Sequence, residues 1–144
     1  MTADREHLDP QQSLRLLADM PVGRVVYTLG AMPAVLPVRF RLDGDGSLLL
    51  DATAGSELVR AVDGTVIAFE TGEVDGTDGS GWSVTVLGRA HVEPGPTESP
   101  RPQAPPQAGV AAVPFDGSGH VQIRMCPELV NGRRLGTLPT AAPE

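Results

Sequence analysis

Gly81-Trp82-Ser83-Val84-Thr85-Val86-Leu87-Gly88-Arg89-Ala90-His91-Val92 holds strict two-residue alternation through a glycine near its middle. Trp82, Val84, Val86, Gly88, Ala90 and Val92 share one side; Ser83, Thr85, Leu87, Arg89 and His91 share the other, the pattern of a strand buried on one face. A glycine inside a strand gives up stability unless a barrel corner, a bulge, or a close approach of backbone or ligand needs the gap. The stretch therefore predicts a long barrel strand, with a ligand as one of the things for which Gly88 could make room.

Working outward, Thr65 to Thr71 alternates before it and His120 to Cys126 after it. Upstream, Gly23 to Leu29 is a strand broken by Gly30 and Pro33. In the next one, Ala34, Leu36, Val38, Phe40 and Leu42 form an apolar face, opposed by Val35, Pro37, Arg39 and Arg41. Asp43-Gly44-Asp45-Gly46 is a hairpin signal, since glycine supplies the positive φ that such turns require, and Ser47 to Asp51 returns from it. Asp9-Pro10-Gln11-Gln12 starts a helix: the Asp side chain caps free amides, proline is tolerated in the first turn, and Gln12 reaches back. That helix buries Leu14, Leu16, Leu17 and Met20 and ends before Pro21. Ser56 caps a shorter helix through Val62. Gly72 to Gly81 is predicted as a loop, and Pro127 to Leu135 as a turn with a short extended piece. Residues 94–114 hold seven of the 14 prolines, too many missing backbone donors for helix or sheet, and predict a linker. Residues 136–144 form a frayed tail. The order is helix, three strands, short helix, two strands, linker, strand, in one domain over 1–144. Closing such a sheet into a barrel satisfies its edges.

Composition narrows the partners. A formal charge of −7 opposes general binding to nucleic-acid phosphates or anionic membranes. The lone Cys126 has no internal disulfide partner, no thiolate cluster holds a metal, and the start of the chain lacks the apolar run of a signal peptide. These features predict a cytoplasmic protein. His7, His91 and His120 are too widely spaced to suggest a metal site or a catalytic triad.

Several pieces in order carry a resemblance: Pro21-Val22-Gly23-Arg24-Val25-Val26, Leu36-Pro37-Val38-Arg39-Phe40, Gly55-Ser56-Glu57-Leu58, Val66-Ile67-Ala68-Phe69-Glu70, Gly81 to Val92, and Pro127-Glu128-Leu129-Val130-Asn131-Gly132-Arg133-Arg134. The chain resembles the flavin-binding split-barrel family related to pyridoxamine 5'-phosphate oxidase, particularly its small actinobacterial and nitroimidazole-reductase-like members. The resemblance implies a mainly β fold, a six-stranded antiparallel split β-barrel with short helices, assembled as a homodimer with flavin mononucleotide (FMN) in a groove between subunits. It implies that Pro37, Val38, Arg39 and Phe40 run beside the isoalloxazine ring. It also implies that Thr53, Ser56 and the residue at Glu57 surround the phosphate, with Trp82 and Ser83 contributing from the neighbouring strand. The activity implied is electron or hydride transfer between FMN and a small molecule, in which the flavin supplies the redox chemistry.

Glu57 departs from that pattern, because relatives commonly place a cation there, and Asp51 adds a second carboxylate. A carboxylate about 4 Å from a phosphate charge costs up to roughly 4 kcal/mol at an effective dielectric near 20, about a thousandfold in affinity. Arg39 or Arg41 would offset this by a bidentate contact, as would an arginine from the partner subunit. Two other readings therefore stand beside the leading one: a degenerate split-barrel dimer without strong flavin binding that acts as a non-enzymatic ligand-binding or structural protein, and a barrel holding the deazaflavin cofactor F420 or haem in the same groove. Each named residue also has an ordinary role. Trp82 suits a core or dimer interface, Ser56 a helix cap, and the two arginines an exposed strand face.

Overall fold

Asp9 sets the first helix in place. Its side chain accepts from the Gln12 N–H at 2.8 Å while Gln12 Oε1 accepts from the Asp9 N–H at 3.2 Å, a complete capping box that starts α1 at Pro10–Ala18. The structure, a computed structural model, describes residues 7–95 and 119–137. Around α1 run β1 (His7–Leu8), β2 (Val22–Leu29), β3 (Met32–Leu42), β4 (Leu48–Thr53), α2 (Glu57–Val62), β5 (Val66–Val74), β6 (Gly81–Pro94) and β7 (His120–Leu135).

All strand pairings are antiparallel. The order β7-β4-β3-β2-β5-β6 closes on itself because β6 also pairs with β7, giving a six-stranded barrel with β1 appended to β7. Closure leaves these strands one interior, filled by Leu17, Val25, Leu48, Leu50, Val62, Phe69, Val84, Val86, Ala90, Ile123 and Met125, all fully buried. The expected alternation of Gly81 to Val92 holds, with Val84, Val86 and Ala90 at 0 % exposure and Leu87 at 37 %.

The structure corrects the sequence reading at four places. First, Pro127 to Leu135 is not a turn with a short extended piece; it is the second half of β7, paired with β6 throughout. The register slips beside Gly88, which stands opposite Pro127 while Leu87 stands opposite Leu129, so Glu128 is the extra residue of a β-bulge. A bulge tolerates the proline because the ladder is already interrupted there. A Cβ at Gly88 would collide with the Cys126 carbonyl, so its gap admits the backbone of β7 rather than a ligand. Second, the break after β2 is a two-residue turn at Gly30 and Ala31, with φ of 56° and 65°, while Pro33 lies inside β3 opposite Thr28. Third, β5 and β6 extend into the expected loop, leaving only 75–80 between them, and Pro94 ends β6 opposite Val121. Fourth, Leu36 is not on a buried face: it is 40 % exposed, beside Met32 at 68 % and Val35 at 60 %. The linker expected beyond Gly95 and most of the expected tail lie outside the described residues.

One ionic cluster ties three elements together. Arg124 of β7 donates to Glu93 of β6 at 3.1 Å and reaches Asp43 at 2.8 Å and Asp45 at 3.4 Å in the β3–β4 hairpin. Its guanidinium holds the Glu93 and Asp43 carboxyls below the usual carboxylate range. Among the described residues, no helix is long and apolar enough to cross a membrane.

Candidate functional site

β3 and β4 are paired only where Phe40–Leu42 meets Leu48–Leu50. Past Phe40 and Leu50, a cleft of about 490 Å³ is lined by Leu36–Arg39 of β3 and Asp51–Thr53 of β4. The pairing stops before Arg39, and Pro37 keeps it from resuming. Phe40 donates its N–H to the Pro21 carbonyl, on the β2 side, at 3.2 Å. Successive strand residues direct their backbone groups to alternate sides, so position 37 turns toward β4, where proline has no N–H to give. Tyr27 of β2 and Ser56, Glu57 and Leu58 at the start of α2 complete the lining.

The lining divides by chemistry. Tyr27, Val38 and Leu58 are 9 %, 8 % and 4 % exposed and, with Leu36 and Ala52, supply apolar contact. Arg39, Asp51, Thr53, Ser56 and Glu57 supply charge and hydrogen bonding. Ser56 is already committed to α2: its Oγ accepts from the Val59 N–H at 3.4 Å and its carbonyl from the Arg60 N–H at 3.1 Å. Arg41 points elsewhere, donating to Gln122 Oε1 at 3.3 Å. Arg39 has no ion-pair partner among the described residues.

Of the eight residues expected at a cofactor, Pro37, Val38, Arg39, Thr53 and Ser56 come together here. Phe40 turns inward instead, 7 % exposed, with its ring centroid 4.6 Å from that of Phe69. Trp82 and Ser83 are not on a neighbouring strand, because β6 pairs with β5 and β7. Trp82 lines a separate hollow with Glu73, Val74, Asp75, Ser80 and Gly81. Sequence reasoning missed Tyr27, Leu36, Ala52 and Leu58 as lining residues; alternation marks an apolar face without showing whether a protein core or a cleft lies over it. Among the described residues, no group of three or more His, Cys, Asp and Glu side chains could hold a metal ion.

These contacts fit a planar aromatic ligand with hydrogen-bonding edges, which needs apolar walls and a few convergent polar groups. They do not fit a phosphate monoester. That group carries about −1.5 to −2 charge near neutrality and, among the described residues of one protomer, would meet two carboxylates for one guanidinium. α2, with six residues and its cap filled, offers no compensating anion site.

A protein-family model described as pyridoxamine 5'-phosphate oxidase matches residues 9–108. The chain belongs to this family. The uncharacterized protein Rv0080 of Mycobacterium tuberculosis is 39 % identical over 88 residues, a match covering 58 % of this chain and 57 % of that relative. The chain thus spans little more than half the length of that relative. Among solved structures, the FAD binding protein of Mycobacterium smegmatis superposes with a TM-score of 0.65 at 24 % identity, covering 90 % of this chain and 97 % of its own. An FAD and haem binding protein of the same organism gives 0.66 at 16 % identity, covering 93 % and 75 %. At such identities the likeness of this pyridoxamine 5'-phosphate oxidase family member to both is one of fold.

Proposed function

We propose that this chain binds a flavin with its isoalloxazine ring in the cleft between β3 and β4 and acts as an oxidoreductase on a small molecule. The observation that carries the reading is the parting of β3 and β4 beyond Phe40 and Leu50, which brings apolar walls and polar edges into one cleft in a member of a flavin-associated family. A bound flavin supplies hydride or electron transfer. The chain's own part is to bind and orient: Tyr27, Val38 and Leu58 exclude water from the ring, while Thr53 and the backbone beside Pro37 hold its polar edges. Haem is less well supported, since the described lining residues offer no His, Cys or Met as an axial ligand, and Tyr27 is 9 % exposed. F420 carries phosphate and meets the same two carboxylates as FMN.

The working unit of this proposal is a cytoplasmic homodimer. Met32, Val35 and Leu36 expose apolar surface on the strand that lines the cleft, and a second copy packed there would cover them. Trp82 and Ser83 would then reach the cleft only from the other protomer. The free thiol of Cys126 suits a reducing compartment. The test is a flavin titration followed by quenching of flavin fluorescence, with mass measured by light scattering. Saturable micromolar binding by a dimer is expected. No quenching by any flavin at high micromolar concentration sinks the reading, and a monomer that binds flavin removes the dimer from it.

A further inference from the structure

We infer that the cleft selects a flavin whose side chain is uncharged, so that riboflavin is bound in preference to FMN or FAD. The inference rests on the flavin reading above and concerns which form of flavin the chain takes. The isoalloxazine ring and its ribityl chain are common to all three; they differ at the far end of that chain. Riboflavin ends in a hydroxyl, FMN in a phosphate monoester, and FAD in two linked phosphates and an adenosine.

The polar lining is suited to hydroxyls. Asp51 and Glu57 present carboxylates, which accept hydrogen bonds and donate none when ionised. Thr53 adds a hydroxyl, and the Ser56 Oγ is partly taken up by Val59. A ribityl chain carries several O–H donors, so it can satisfy acceptors that would otherwise turn to water. A phosphate oxygen is another acceptor bearing the same sign of charge as Asp51 and Glu57. Within one protomer Arg39 balances only one of the two carboxylates, and Arg41 is held by Gln122.

The start of α2 does not rescue an anion. Its Ser56 cap already accepts the Val59 N–H, and Glu57 places its own negative charge in the first turn, where it takes up the favourable field that an anionic ligand would use. The cleft is open to solvent at Glu57, so water weakens the repulsion without reversing its sign.

Riboflavin, FMN and FAD should be titrated separately into the full chain at low ionic strength, with fluorescence quenching as the readout. Riboflavin is expected to bind roughly tenfold or more tightly than FMN, and added salt should narrow the gap by screening the phosphate. Glu57→Gln keeps the hydrogen-bond acceptor and removes the charge; it should bring FMN to within about threefold of riboflavin, and Asp51→Asn should move it the same way. FMN or FAD binding as tightly as riboflavin overturns the inference and leaves the flavin reading standing. A riboflavin preference that neither variant narrows also overturns it, because the carboxylates would not be its cause. Failure of all three ligands to bind overturns the flavin reading and this inference with it.

Discussion

The carbonyl of Cys126 occupies the space that any side chain at Gly88 would need. At that point β7 carries one residue more than β6, a bulge of the kind that bends a strand. Gly88→Ala pushes a methyl group against backbone rather than against the movable tip of a side chain. The expected cost is about 1–3 kcal/mol, seen as a lower urea midpoint with an unchanged slope. An unchanged midpoint would show that the bulge can shift aside.

The turn between β2 and β3 holds its own strain. Gly30 and Ala31 both have positive φ, and Leu29 and Met32 pair on either side of them. Two-residue hairpin turns of this kind favour glycine or asparagine at both positions, and an alanine there costs about 1–2 kcal/mol in backbone sterics. Ala31→Gly relieves that cost while increasing the freedom of the unfolded chain. A net gain of about 0.5–1 kcal/mol is expected, read as a higher melting temperature; a lower one would mean that the turn relaxes out of the left-handed region in solution.

Acid should find Arg124. Its guanidinium lowers the carboxyls of Glu93 and Asp43. A group whose folded pKa is depressed contributes stability that is fully present above its unfolded value, near about 4, and is lost as pH falls through the folded value. The wild-type melting temperature should therefore drop as pH falls below about 5. Arg124→Ala should start lower at neutral pH and drop less over that window. Some slope should remain, because Asp45 is lowered chiefly by the Ser47 amide and Asp78 chiefly by the Ser80 hydroxyl. Parallel wild-type and variant curves would count against the network.

Much of the barrel was legible in residues because its signals are local. The capping box at Asp9 and Gln12, the Asp43 to Gly46 hairpin and the alternation through Val84, Val86 and Ala90 each need only a few neighbours to be read. The second half of β7 was not legible for the opposite reason. Pro127 reads as a break by itself, and its place in a strand depends on its partner Gly88, 39 positions earlier in the chain. The cleft divides in the same way. Pro37, Arg39, Thr53 and Ser56 were nominated through the family resemblance, whereas Phe40 faces the core, and Trp82 is remote from β3 because barrel order is a long-range property.

Arg39 tests the electrostatics of the cleft from the opposite sign. It is the one cation among the described lining residues, exposed and without an ion pair to any described residue, so Arg39→Ala should leave folding intact. Any tolerance for a charged flavin tail depends on it, since a guanidinium can make two parallel bonds to a phosphate. Without it, FMN should bind about tenfold more weakly, a loss of about 1.4 kcal/mol. Riboflavin should change by less than about twofold, because its side chain brings no charge for the guanidinium to meet. Raising the salt concentration should shrink the FMN effect. Equal losses for both ligands would place Arg39 against the ring, and unchanged affinity for both would remove it from the site.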